Sequence, residues 1–402
     1  MAEEKTELSE PQKEINGLVE KAQKALEDYA SFDQEKIDYI VAKASVAALD
    51  HHGSLAKLAV EETKRGVFED KATKNLFACE YVVNHMRHLK TVGVVEDDDV
   101  TGIVKIAEPV GVVAGLTPVT NPTSTAIFKA LICLKTRNPI IFSFHPSAIK
   151  CSIAAAKIVY DAAVAAGAPK NCIQWIEEPS MEKTNFLIGH PGVATILATG
   201  GNAMVRAAYS QGKPALGVGA GNVPAYVDKS CNLKQAVNDI VLSKSFDNGM
   251  ICASEQGAII DKEIYDAAIS MFKEYRAYLC SAKEKKMLEK YMFGVDGDPS
   301  VAKLNPDVVG MNPVVLAKNA GFDIPARTSI ILAECKDVGL RSASLAKSFL
   351  LYSQFSRLLR QRTVSTRQRD SSHSTVSDTL LQSTLLTRHS LRNSATSFLQ
   401  SA

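Results

Sequence analysis

The residue best suited to covalent chemistry is Cys252, in Phe246-Asp-Asn-Gly-Met-Ile-Cys-Ala-Ser-Glu-Gln256, a polar, glycine-containing segment that runs into the strand-like stretch Gly257–Ile260. A thiol so placed can attack a carbonyl once backbone donors or a helix start lower its pKa. It also reads as one more inert buried thiol, because the chain has eight cysteines, at 79, 133, 151, 172, 231, 252, 280 and 335. Asn121 is the second such residue. It ends the loop Gly115-Leu-Thr-Pro-Val-Thr-Asn121, where its amide can donate to a developing oxyanion or simply cap a turn or helix. Gly200-Gly201 lets the backbone approach a ligand closely, just before a helix start that favours phosphate. Gly217-Val-Gly219-Ala-Gly221 is a loose echo of a dinucleotide-binding pattern, and no G-x-G-x-x-G follows a strand. A loop Asn, a nucleotide-type crevice and a later thiol together fit one chemistry: thiohemiacetal formation, hydride transfer to NAD and a thioester intermediate.

The elements that must position these residues are legible as patterns. Ile15, Leu18, Val19, Ala22, Ala25, Leu26 and Tyr29 recur at helical spacing, as do Ile37, Ile40, Val41 and Ala44 after a Ser31-x-x-Gln34 capping box. Residues 1–100 therefore read as helices, with Glu96-Asp97-Asp98-Asp99 as a solvated turn and His85-x-x-His88 as part of a helix face rather than a metal pair. From residue 109 short apolar runs end in turn residues and lead into helices: Val110–Ala114, Pro139–Ser143 and Val193–Ala198. This repeat predicts an α/β fold with a doubly wound, buried parallel sheet whose carboxyl ends form a ligand crevice.

The whole chain, with 402 residues, 46 Lys+Arg and 44 Asp+Glu, has the composition of a globular protein of two or three domains. No run of 18 apolar residues, signal-like leader or metal-finger cysteine spacing occurs, and the charge is balanced. The expectation is a cytoplasmic protein in a reducing compartment, with small-molecule substrates and neither nucleic acid nor membrane as a partner. The balance conceals two unlike parts. Residues 341–402 hold eight Arg and one Lys against two Asp, fifteen Ser and no Gly or Pro, a net charge of +7 that leaves −5 on residues 1–340.

Residues 10–340 resemble the N-terminal half of the bifunctional aldehyde-alcohol dehydrogenases, the CoA-acylating branch of the aldehyde dehydrogenase superfamily. The resemblance is carried by Thr117–Lys129, Lys135–Ser143, Ile196–Gly201, Gly212–Asn222 and Phe246–Gln256. It implies an aldehyde dehydrogenase-like fold, with an NAD-binding domain over 10–225 and an incomplete catalytic domain over 226–340. It also implies a Cys252 nucleophile, Asn121 with the Cys252 backbone N–H as oxyanion donors, and NAD contacts at Leu116, Thr117, Pro118, Val119, Thr120, Asn121, Gly201 and Gly219. Hydrolytic relatives place a Glu before the paired small residues near Gly219-Ala-Gly221. Here Leu216, Gly217, Val218 and Gly219 offer no base, so coenzyme A is expected to take the acyl group. The resemblance implies acetaldehyde and acetyl-CoA as substrates in fermentative metabolism, and self-association in intact members. A hydrolytic aldehyde dehydrogenase and a non-catalytic remnant are the alternatives.

The resemblance ends after Thr328–Gly339, where the family continues with R-E-K-L-S-P and its ribose-holding glutamate. Codons for Leu345–Leu351, written CTN GCN AAR AGY TTY CTN CTN and read from the third base, can encode R-E-K-L-S-P. A frameshift near Leu340 therefore accounts for 341–402, an off-pattern tail expected to form no stable domain. Resequencing the locus tests this; an intact frame whose offset translation lacks that motif would overturn it.

Overall fold

The computed structural model describes residues 8–219, 221, 223–294, 304–335 and, as backbone, 352–357. The helical stripe at the N-terminus becomes the helix Glu10–Tyr29, opened by a capping box of Ser9 and Gln12 and burying Ile15, Val19, Ala22, Ala25 and Tyr29. The next helix, Gln34–Asp50, buries Ile37, Ile40, Val41 and Ala44 as the periodicity predicts. Its cap differs from the expected Ser31. The Ser31 hydroxyl donates to Asp28 O in the preceding helix end, and the Asp33 carboxylate accepts from Lys36 N at 2.8 Å instead.

Residues before 110 are not all helical. β1 (Gly93–Asp98) and β2 (Ile103–Ala107) form an antiparallel hairpin, so Glu96, Asp97 and Asp98 of the expected turn lie in a strand and the turn itself begins at Asp99. Both strands are exposed along most of their length, which removes the one-sided apolar alternation that marks a half-buried strand.

The first parallel sheet runs β3 (Val112–Leu116), β4 (Ile140–Ser143), β5 (Ile173–Trp175), β6 (Val193–Thr199) and β7 (Ala215–Val218), in the spatial order β5-β4-β3-β6-β7. Every residue of β3 and β4 is buried, which is why these strands read as continuous apolar runs. Successive residues serve opposite faces: Val113, Ile140 and Phe142 pack with the helices Gln34–Asp50, Pro122–Lys135 and Ile149–Ala165. Val112, Ala114, Leu116 and Ile141 pack with Ile15, Val19, Leu187 and Ala208 on the other side. The sheet is thus doubly wound, and its order reverses between β3 and β6, the place where such sheets open a crevice.

The second sheet contains β8 (Val223–Val227), β9 (Glu255–Ile260), β10 (Ala277–Leu279), β11 (Ile330–Cys335) and β12 (Tyr352–Arg357), all parallel, in the order β10-β11-β12-β9-β8. The change of sheet falls between Val218 and Val223, so a boundary at 225 would lie inside β8. β12 departs from the expectation of a tail without stable structure, since Tyr352–Arg357 is the middle strand. Strand pairing draws on backbone groups that every residue except proline supplies. A stretch with Tyr and Phe and no Pro or Gly satisfies both β9 and β11. The rest of 341–402 lies outside the described residues.

Candidate active site

Register brings the expected ligand loops to one edge. Leu116 pairs with Ala198, Ala198 with Gly217, and Thr199 with Val218, so the segments after β3, β6 and β7 leave the carboxyl edge side by side. Thr117, Pro118, Val119, Thr120 and Asn121 follow β3, with Leu116, Thr117 and Thr120 buried. Gly201 caps the helix Asn202–Tyr209, and a Cβ there would meet nothing within 4 Å. At Gly219 a Cβ would come within 2.7 Å of Asn202 Oδ1, so a side chain there would have to displace the Asn202 amide.

The loop from Leu116 to Asn121 is held by three lysines. Lys129 Nζ donates to Leu116 O at 2.7 Å and to Leu197 O at 2.8 Å, tying β3 to β6 from below. Lys71 Nζ donates to Thr120 O at 3.1 Å. Lys74 Nζ donates to the Asn121 side-chain Oδ1 at 2.6 Å. Asn121 opens the helix Pro122–Lys135 without a side-chain cap bond, its Nδ2 instead donating to Thr120 Oγ1 at 3.2 Å. Burial pushes the Lys129 ammonium down to about 7 and Lys74 down to about 8, the latter opposed by the charge of Asp247.

Asp247 is the anion that allows Lys71 and Lys74 to be buried together. Its side chain is fully buried and accepts from Lys71 at 3.2 Å, Lys74 at 2.5 Å and the Val67 N–H at 2.8 Å. Its own N–H donates to Asp70 Oδ2 at 2.7 Å, while burial raises the Asp70 carboxyl. Asp247 and Asn248 hold left-handed φ angles of 48° and 53°, a turn that these two residue types tolerate better than most. The turn sends the chain from the helix Leu233–Ser245 toward Cys252.

Cys252 lies in a turn just before β9 and is half-buried. Cys79, Cys133, Cys151, Cys172 and Cys280 are buried, and Cys231 is the other partly exposed cysteine among the described side chains. The expected lowering of the Cys252 pKa is not what the surroundings produce. Burial raises the thiol, opposed by its own N–H, the Lys74 charge and the Ala253 N–H. The donors anticipated from sequence are present, but desolvation outweighs them. Gly221 packs its backbone against this turn: a Cβ there would fall 2.0 Å from Cys252 O. Just beyond, buried Lys244 donates to Gln256 Oε1 at 2.9 Å, and burial lowers its pKa to about 7.

Lys74 thus links the Asn121 side chain to Asp247, five residues before Cys252, and the Gly201 and Gly219 backbones lie along the same sheet edge. Sequence reasoning did not single out Lys71, Lys74, Lys129 or Asp247 for any role. Lys129 alone carried a local signal, a lysine inside the apolar helical run Ala126–Leu131. Among the described residues no cluster of three or more His, Cys, Asp or Glu could hold a metal ion.

Comparisons with known proteins agree with this architecture. Residues 7–287 match the model of the aldehyde dehydrogenase family. Aldehyde-alcohol dehydrogenase 2 of Entamoeba histolytica is 66% identical over 330 residues, covering 81% of this chain; the chain spans 38% of that relative's length. An acetylating aldehyde dehydrogenase from Geobacillus thermoglucosidasius superposes with a TM-score of 0.84 at 42% identity, over 89% of this chain and 77% of that one. A Rhodopseudomonas palustris propionaldehyde dehydrogenase, solved with bound CoA and an acylated cysteine, gives 0.74 at 30% identity, over 86% of this chain and 77% of that one. With its doubly wound sheet, its half-buried thiol before β9 and the match to the family over 7–287, this chain belongs to the aldehyde dehydrogenase family.

Proposed function

We propose that this chain interconverts acetaldehyde and acetyl-CoA in the cytoplasm with NAD as the redox partner, through a thioester on Cys252. The observation that carries the reading is the half-buried Cys252 thiol in a turn whose neighbour Lys74 also holds the Asn121 amide. Its direction toward CoA rests on Leu216, Gly217, Val218 and Gly219, none of which can take a proton from water. The names of the Entamoeba histolytica and Geobacillus thermoglucosidasius relatives point the same way.

In this reading the Cys252 thiolate adds to the aldehyde carbon, and the Asn121 Nδ2–H and Cys252 N–H receive the oxyanion. When bound along this edge, NAD would supply the hydride acceptor and CoA the thiol that takes the acyl group from Cys252. Cys252 then departs as a thiolate, ready for the next aldehyde. The residues present suit a dinucleotide. Thr117 Oγ1 is buried without a partner just after β3, Gly201 faces open space at a helix start, and a Cβ at Gly219 would press on the Asn202 amide. Leu116–Asn121 would line the nicotinamide end, with Lys129, Lys71 and Lys74 keeping that loop in place. No helix among the described residues is long and apolar enough to cross a membrane.

The test follows NADH formation from acetaldehyde and NAD by the full chain, with and without CoA, and identifies the product by mass. NADH formation that requires CoA and yields acetyl-CoA is expected. A rate indifferent to CoA, with acetate as product, would transfer the chain to the hydrolytic enzymes. A folded chain with no acyl transfer in either direction would leave it a binding protein.

A further inference from the structure

Lys74 touches three parts of the site that arrive from different regions of the chain. It sits in the helix Phe68–Leu76, donates to Asn121 Oδ1 ahead of the helix Pro122–Lys135, and is anchored on Asp247 five residues before Cys252. We propose that Lys74 is a positioning residue of the thiol site: it fixes which end of the Asn121 amide faces the reacting carbonyl, and, bonded to Asp247 and lying over the Phe246 ring, it keeps a cation on the turn that leads to Cys252. The proposal rests on the oxyanion role given to Asn121 above.

The argument begins with the amide. An Asn side chain presents an acceptor at one end and donors at the other, and the wrong end would repel an oxyanion. An ammonium has only donors, so the group 2.6 Å from Lys74 must be the Asn121 oxygen. That orientation turns Nδ2 away from Lys74. One of its protons goes to Thr120 Oγ1, and the other is left for a ligand.

Lys74 does not wander, because Asp247 is itself fixed by Val67 N–H, Lys71 and its own N–H bond to Asp70. The groups facing the ammonium are Asp247 and the Phe246 ring from the turn, Asp70 and Lys71 from its own helix, and Asn121 from the loop after β3; its charge also lowers the Cys252 thiol against the rise that burial causes. Loss of Lys74 leaves Asp247 with Lys71 and the Val67 N–H, so K74M keeps a partner for every buried charge.

The experiment uses the full chain and two readouts. First, the pH dependence of Cys252 alkylation by iodoacetamide is followed on its own peptide by mass spectrometry. The apparent thiol pKa is expected to rise by about one unit in K74M, a tenfold slower reaction near neutral pH, and to return in K74R. N121A should leave this profile where it was. Second, acyl transfer from acetyl-CoA is compared in K74M, N121A and the double variant. Each single change is expected to lower kcat with little change in KM, and the double variant to lose little beyond the worse single one. An unshifted alkylation profile in folded K74M overturns the cation role, and additive losses overturn the amide role. Alkylation needs no turnover, so failure of the proposed reaction and failure of Lys74 as its organiser give different results.

Discussion

Cys252→Ala should lower acyl transfer from acetyl-CoA by about 10⁴-fold or more while the fold stays intact. The size follows from the chemistry: without a nucleophile there is no covalent intermediate, and positioning by the remaining groups accounts for only the residual rate. The stability change should be about 1 kcal/mol or less, because the side chain is half-buried and loses a single sulfur atom. No other described thiol is placed to substitute. Burial pushes Cys79, Cys133 and Cys280 up to about 12 and Cys172 up to about 11, and Cys151 is raised as well. Cys231 is the fair control, being partly exposed, raised by burial and set before the helix Leu233–Ser245. Cys231→Ala should retain activity in the same NADH-oxidation assay. Equal rates in Cys252→Ala and the parent would remove Cys252 from the reaction.

Asp247→Ala should destabilise the chain by about 3–5 kcal/mol in urea unfolding. The side chain is 0% exposed, and the lysines that it pairs with are 3% and 10% exposed. Removing the carboxylate leaves two buried cations facing one another and strips the Val67 N–H of its acceptor. A surface pair supplies the comparison. Glu10 and Lys13 approach to 2.8 Å with side chains 86% and 49% exposed, and Glu10→Gln should cost less than about 1 kcal/mol. A loss below about 1 kcal/mol in Asp247→Ala would mean that water or a relaxed Asp70 replaces the anion.

The parts of the fold that sequence revealed were those in which one local period decides burial. The stripes at 15–29 and 37–44 lie on single helix faces, and β3 and β4 are apolar because both of their faces are covered. The hairpin β1–β2 escaped because neither face is covered, so its residues carry no period. Ser31 and Asp33 compete within one turn, and only the hydrogen bonding at the preceding helix end shows which of them caps.

For the site, the loop contexts of Cys252 and Asn121 mark them as candidates. The ionic cluster is not so marked, since Lys71 and Asp247 stand 176 positions apart and meet only because Phe68–Leu76 packs beside the turn at Asp247. Burying a charge is a property of the finished packing, and no local pattern around Lys74 announces it. The Gly221 approach to Cys252 is likewise a tertiary fact, visible beforehand only as one glycine among 23.

The position of β12 has a consequence for how the chain is made. On the ribosome β8, β9, β10 and β11 emerge first, yet β9 and β11 are joined only through a strand translated after both. Until residue 357 clears the exit tunnel, the nascent sheet consists of two separate pairs with inward-facing open edges. Closure at the centre by a late, non-local segment is slow relative to local helix formation. The turn that carries Cys252 leads directly into one of those waiting edges. The Cys252 turn is therefore among the last features to acquire its final surroundings, and chaperone demand should be greatest in that interval.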